Sequence, residues 1–165
     1  MSVRQCVKCK AKKADGSPCT RTTCDYPEFC WQHFQQEYHL KLAKSNIRGA
    51  NKGLFTTKDI KPNQRIVEYT GEIKTDPDTR GVYVLEVAPN KFIDARSTQS
   101  KIGRYANHCK AINTRNKECK GNNAHFGVYR GQAWLKAKKR IPAGAEIFAS
   151  YGRSYFSQSK RDICW

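Results

Sequence analysis

Five of the eight cysteines, Cys6, Cys9, Cys19, Cys24 and Cys30, crowd into the first 30 residues, with His33 just behind them. A segment so short has little apolar core of its own, so cross-links or a bound metal must hold it together. The first residues, Met1-Ser2-Val3-Arg4-Gln5-Cys6, form no apolar signal segment. No apolar run approaches the roughly 18 residues of a membrane span. The expectation is an intracellular, reducing setting with no membrane contact. There, clustered thiols serve a metal better than a disulfide framework.

Spacing narrows the ligand set. Cys9 and Cys19 flank Asp15-Gly16-Ser17-Pro18, a strong chain-reversal signal. Cys30-Trp31-Gln32-His33 is a C-x2-H step that, on a starting helix, points a thiolate and an imidazole at one ion. Three thiolates and one imidazole suit a closed, tetrahedral, structural Zn2+. Cys6-Val7-Lys8-Cys9 is a competing C-x2-C pair, so Cys6 and Cys24 stay open as alternative ligands. The set Cys9, Cys19, Cys30 and His33 resembles a C-x9-C, C-x2-H motif that recurs in proteins of large DNA viruses, which suggests a virus-like version. Beyond it, Trp31, Phe34, Tyr38 and Leu42 recur at spacings of three and four, predicting one apolar stripe on a short helix.

Composition shifts near residue 45, and the boundary falls around Ser45 to Gly49. Three parts result: a zinc segment plus helix over 1–45, a body over 46–156, and a tail over 157–165. No repeat or low-complexity tract appears. Within the body, Ile66-Val67-Glu68-Tyr69 and Tyr83-Val84-Leu85-Glu86-Val87 read as short strands. Pro62-Asn63 and Pro142-Ala143-Gly144 mark turns before further strands. Each segment alone is compatible with a small, mostly β domain without catalysis.

Together the segments resemble a SET domain, the protein-lysine methyltransferase fold. The likeness runs from about Ile47 to Phe156 in family order. It rests on Glu68-Tyr69-Thr70-Gly71-Glu72, on Phe92-Ile93-Asp94-Ala95-Arg96 with Arg104-Tyr105-Ala106-Asn107-His108, and on Glu146-Ile147 through Tyr151-Gly152. The resemblance implies a mainly β (α+β) architecture of several small sheets with a C-terminal pseudoknot. It also implies methyl transfer from S-adenosylmethionine to a lysine of a protein, a histone or nucleosome being the expected substrate, in the nucleus, a host nucleus or a virion.

By the same resemblance, Asn51, Lys52 and Gly53 occupy the cofactor loop, with Asn51 in place of the family's first glycine. Tyr83, Arg104, Asn107 and His108 contact the cofactor, and Tyr151 is the catalytic tyrosine. Tyr69 lines the lysine channel, although a core role is equally compatible. Ala149 stands two residues before Tyr151, where a small side chain leaves room for more than one methyl transfer. The family's next asparagine is Asn123 or Asn113, after a polar, insertion-like stretch from Lys110 to Gly121. The family's cysteine-rich zinc segment after the domain is missing; Phe156 or Trp165 is the candidate to cover the adenine instead, although ordinary packing is equally compatible with either.

Charge adds a partner. The 31 Lys+Arg exceed the 14 Asp+Glu, giving a formal +17. Such a surplus favours polyanions, with salt-sensitive, non-specific DNA contact. Lys136-Ala137-Lys138-Lys139-Arg140 is either a solvated strand edge or the DNA-facing patch. The rival functions are a catalytically inactive SET scaffold that binds chromatin or nucleic acid, and a sequence-specific DNA-binding protein; no recognition helix supports the latter. Oligomeric state is open, and a homodimer is compatible with the sequence.

Overall fold

Turn chemistry starts the fold. Gly16 sits at φ 80°, a backbone region that a residue without Cβ enters freely. Asp15 accepts the Ser17 amide at 2.9 Å and its hydroxyl at 2.6 Å. The chain therefore reverses, laying β1 (Val7–Lys8) antiparallel to β2 (Thr22–Thr23). Pairing continues toward the turn through Cys9 N–H to the Arg21 carbonyl, Cys19 N–H to the Ala11 carbonyl, and a bridge between Lys12 and Pro18. The computed structural model describes residues 6–24, 26, 28–77, 79, 81, 83–96, 102–109 and 120–150.

The expected absence of disulfides fails at this hairpin. Cys6 and Cys24 are joined, their Cα atoms 4.3 Å apart, and Cys109 is also disulfide-bonded. Register is the cause at the first pair. Setting Val7 against Thr23 sets their outer neighbours Cys6 and Cys24 face to face, within disulfide reach.

The predicted apolar stripe is also cut short. Helix α1 runs over Trp31–Tyr38 and ends at His39, which adopts a left-handed conformation (φ 53°) as its cap. Phe34 is buried, but Trp31 is 57% exposed. Leu42 belongs instead to β3 (Leu40–Lys44), paired in register with β4 (Lys52–Thr56), so that Leu42 lies opposite Leu54. The i+4 spacing from Tyr38 is thus accidental: a five-residue ladder to β4 competes with further helix and wins. Phe34, stacked on Tyr38 at 4.5 Å and tilted against Tyr26 at 5.0 Å, joins Leu40, Leu54, Ile102, Leu135 and Ile147 in the main core. Each such side chain contributes about 1.5–3 kcal/mol on burial.

The rest is strands. β5 (Arg65–Tyr69), β9 (Ala124–Tyr129), β10 (Gln132–Ala137) and β11 (Ala149–Ser150) form one sheet in the order β11-β9-β10-β5. β6 (Glu72–Lys74), β7 (Val84–Ala88) and β8 (Lys91–Asp94) form a second, ordered β6-β8-β7. Between these sheets lies a smaller core of Tyr69, Val87, Ile93, Ala95 and Ala133. A single 3₁₀ turn, Ile102–Tyr105, precedes Asn107. Among the described residues the architecture is four small sheets and one α-helix, the mainly β arrangement expected. β11 runs parallel to β9, and the Ala149 amide donates to the Asn107 carbonyl at 2.9 Å. That bond brings the C-terminal chain across the 107–109 segment.

Candidate active site and metal centre

The hairpin delivers Cys9 and Cys19, and the start of α1 delivers Cys30 and His33. Their ligand atoms all lie within 4.8 Å of one another, and the three cysteines are buried. His33 Nδ1 is 3.4 Å from Cys9 Sγ and 3.3 Å from Cys30 Sγ. A tetrahedral zinc with Zn–S about 2.3 Å and Zn–N about 2.0 Å sets its ligand atoms about 3.5–3.8 Å apart, close to the two His33 separations, and the donor set suits that ion. The Cys30 amide donates to Cys9 Sγ at 3.1 Å, a bond that favours thiolate. Burial raises the Cys9 thiol. Burial also acts to raise Cys30, but hydrogen bonds from the His33 backbone and from the Cys9 and His33 side chains bring it down to about 7. Cys6 and Cys24 are consumed by each other, which removes the alternatives left open by spacing.

A second polar centre forms where remote segments meet. Main-chain pairing of Ile147 N–H with the Leu54 carbonyl at 2.7 Å, and the bridge between Phe55 and Glu146, press residues 145–147 against β4. The Glu146 carboxyl group, only 2% exposed, accepts the Ser45 hydroxyl at 2.6 Å and the Asn46 amide at 2.7 Å. The Asn107 side-chain amide reaches the Lys52 carbonyl at 2.9 Å, Ser45 Oγ at 3.2 Å and Glu146 Oε1 at 3.4 Å. Gly53 lies against the same carboxyl: a Cβ there would stand 2.1 Å from Glu146 Oε1. The glycine is required by a buried acid. Asn113 lies outside the described residues, while Asn123 clamps the same strand. Its side chain donates to the Glu146 carbonyl at 2.8 Å and accepts the Phe148 amide at 2.8 Å.

Cations and aromatic rings gather beside this centre. Arg104 lies 5.5 Å from the Tyr83 ring centre and 4.9 Å from that of Tyr105, while Lys52 Nζ lies 5.9 Å from Tyr105. Arg104 also donates to the Ala95 carbonyl at 2.7 Å and the Tyr105 hydroxyl at 2.9 Å. Tyr83 sits at φ 67°, a costly conformation for an aromatic residue. Two bonds hold its carbonyl there: the Tyr69 hydroxyl at 2.8 Å and the Ala95 amide at 2.9 Å.

Of the residues singled out from sequence, Lys52, Gly53, Tyr83, Arg104 and Asn107 therefore form one connected group. Asn51 is exposed at its margin, its carbonyl accepting the Ser45 amide at 3.3 Å. His108 Nδ1 faces the Asn122 side-chain amide at 3.5 Å. Tyr69 is buried edge-on to Phe126, and Ala149 is fully buried. Tyr151, Phe156 and Trp165 lie outside the described residues. Sequence reasoning missed Ser45, and it read Glu146 only as part of a motif. An acid flanked by Ala145 and Ile147 on an otherwise apolar run was the available signal.

His125 on β9 lies opposite Lys136 and, across β11, opposite Ser150. Burial first, then the charges of Lys136 and Lys138, hold its imidazole below the ordinary histidine range. A depressed folded-state pKa means that the unfolded chain takes up the proton first as pH falls. Stability is then present above the ordinary histidine pKa and lost below it. Urea midpoints should fall from about pH 6.5 downward, and His125→Gln should flatten that part of the profile; an unchanged profile would refute the assignment.

A family model for the SET domain matches residues 51–152, more than half of the chain. The chain belongs to the SET-domain family. Among curated proteins, the chain is 26% identical over 133 residues to the histone-lysine N-methyltransferase, H3 lysine-36 specific, of Coccidioides immitis (strain RS), covering 73% of this chain and 12% of that protein. It is 28% identical over 163 residues to the protein of that name in Candida albicans, covering 88% and 18%. It is 25% identical over 140 residues to the histone-lysine N-methyltransferase EZH2 of Chaetomium thermophilum, covering 73% and 8%. The chain thus spans less than a fifth of the length of these relatives. Among solved structures, the methyltransferase domain of human PR domain-containing protein 2 superposes with a TM-score of 0.57 at 22% identity, over 73% of this chain and 83% of that one. That likeness shows the shared fold.

Proposed function

We propose that the protein is a lysine methyltransferase that uses S-adenosylmethionine to modify a protein, with histone H3 the first substrate to assay. The observation that carries this reading is one connected group: Asn107 and Gly53 lie against the buried Glu146, and Lys52, Arg104 and Tyr83 adjoin them through the Tyr105 ring, within a chain that matches the SET-domain model. The donor set suits the cofactor: cations for a carboxylate, rings for stacking, and a fixed amide. Bound there, S-adenosylmethionine would supply a methyl on a sulfonium centre.

In this reading Lys52 and Arg104 bind the amino-acid end of the cofactor. Asn107, held by the Lys52 carbonyl, fixes the loop edge, while Asn51 and His108 lie at the margin. Tyr69 and Ala149 border the passage for the lysine. Burial in such a passage disfavours the ammonium form and so helps the amine lose its proton. The Tyr151 hydroxyl orients the amine, and alignment of the reacting atoms supplies most of the rate, worth about 7–11 kcal/mol in well-ordered cases. The names of the relatives support a histone substrate and a nuclear setting. The head's likeness to a motif of large DNA viruses supports a viral source.

Zinc in the Cys3His group has no open position and is structural. The test is transfer of labelled methyl to core histones and nucleosomes. Tyr151→Phe is expected to lower the rate by about 10²–10³, the usual cost of losing one oriented hydroxyl or amide at the reacting atoms. Equal and negligible labelling by both proteins, with donor bound, would favour the inactive-scaffold reading.

A further inference from the structure

The hairpin that carries two metal ligands has a second face. In an extended pair, alternate residues point to opposite sides. Cys9 and Cys19 are buried and Ala11 packs against them. Lys8, Lys10 and Lys12, at the alternate positions, are all exposed. The register that sets Lys8 against Thr22 and Lys12 against Pro18 sets Lys10 against Thr20, and Thr20 and Thr22 are exposed as well. One side of the hairpin closes on the metal. The other is a row of three cations beside two hydroxyls.

We propose that this outer face docks on the phosphate backbone of duplex DNA. Lysines two apart on a strand are spaced by about 6.6 Å, so successive side chains reach successive phosphates. Lysine and threonine are residue types that contact phosphate oxygens and position a protein without reading bases. The face holds no aromatic ring on which unpaired bases would stack and no arginine, asparagine or glutamine for bidentate base contacts. A paired, sequence-independent backbone is the partner it fits. Lys10 has a counter-charge in Glu28 at 2.9 Å, but both side chains are largely exposed, and a phosphate exchanges with such a pair at little cost. Among the described residues no carboxyl group pairs with Lys8 or Lys12. The Lys136–Arg140 stretch, the sequence's own basic candidate, is less regular as a row of cations: Ala137 is buried and Lys136 is half-buried in the β10 ladder. The inference does not depend on methyl transfer.

Fluorescence anisotropy of the full zinc-loaded chain on a labelled duplex of about 20 base pairs, titrated with NaCl, tests it. Lys8→Ala/Lys10→Ala/Lys12→Ala is expected to weaken binding at least about tenfold at 0.1 M salt, and to make the log–log salt slope shallower by about 0.9 for each lysine removed. A charge-matched control, Lys61→Ala/Lys138→Ala/Lys139→Ala, is expected to change affinity by less than half as much. Equal losses in the two variants would reduce the effect to net charge and overturn the proposal. So would single-stranded DNA or duplex RNA binding as tightly as duplex DNA. Zinc content and circular dichroism of the triple variant are measured alongside. Should it lose metal, Lys12→Glu alone carries the same comparison against Lys138→Glu.

Discussion

Stripping zinc with a strong chelator is expected to melt the metal-bearing end and lower the melting temperature of the whole chain by more than about 10 °C. Among the described residues, the Cys6–Cys24 disulfide is the one other cross-link at this end, and it ties only the two strands of the hairpin, not the start of α1. Residues 6–30 bury little besides Cys9, Cys19, Cys30 and Thr23, and metal binding can supply on the order of 10 kcal/mol to such a segment. Loss propagates because Phe34, one position beyond His33, sits in the main core with Leu54 and Ile147. Cys30→Ser should abolish the single equivalent of zinc measured by atomic emission. Acid should release it too, because the thiols and the imidazole must be unprotonated to bind the ion. A Cys30→Ser protein that keeps its zinc and its melting curve would remove the site.

Gly53→Ala is the second large effect. Its Cβ would stand 2.1 Å from Glu146 Oε1 and 3.2 Å from the Ser45 Cα. A flexible acid would swing aside, but this one is fixed by the Ser45 hydroxyl and the Asn46 amide. Relieving the clash breaks those bonds, leaves polar groups buried, and splits Asn107 from the loop. The expected cost is about 3 kcal/mol or more, combining overpacking with unmade hydrogen bonds to an acid. Donor affinity by calorimetry should fall with it. In a double-mutant cycle, Glu146→Ala should hide most of the Gly53→Ala penalty, since the atom it strikes is gone. Strict additivity would show that the glycine serves something else.

Much of this was readable in the residues because the signals were local. The Asp15-Gly16 turn and the C-x2-H step fixed the metal group, and β-branched and aromatic runs marked β5 and β7. The disulfide was readable in principle. Cys6 and Cys24 stand symmetrically about the turn, and counting outward from it pairs them. The helix was overextended because Leu42 satisfies a helical period and a strand alternation equally, and only the partner strand decides. Two features had no local signal. Ser45 and Glu146 meet across 101 residues of sequence, a contact that no periodicity encodes. The left-handed Tyr83 is imposed by Tyr69 and Ala95 from outside its own segment.

The β3–β4 hairpin has a practical corollary. Its ladder from Leu40–Thr56 to Lys44–Lys52 straddles the point where composition changes, so the obvious place to truncate or swap the chain runs through a hydrogen-bonded ribbon. A fragment starting at residue 46 would present β4 with one naked edge and an empty socket where Phe34 and Leu40 belong. Chimeras that exchange this end between relatives should succeed only when the junction lies beyond Thr56, or when the incoming piece carries side chains shaped for the same socket.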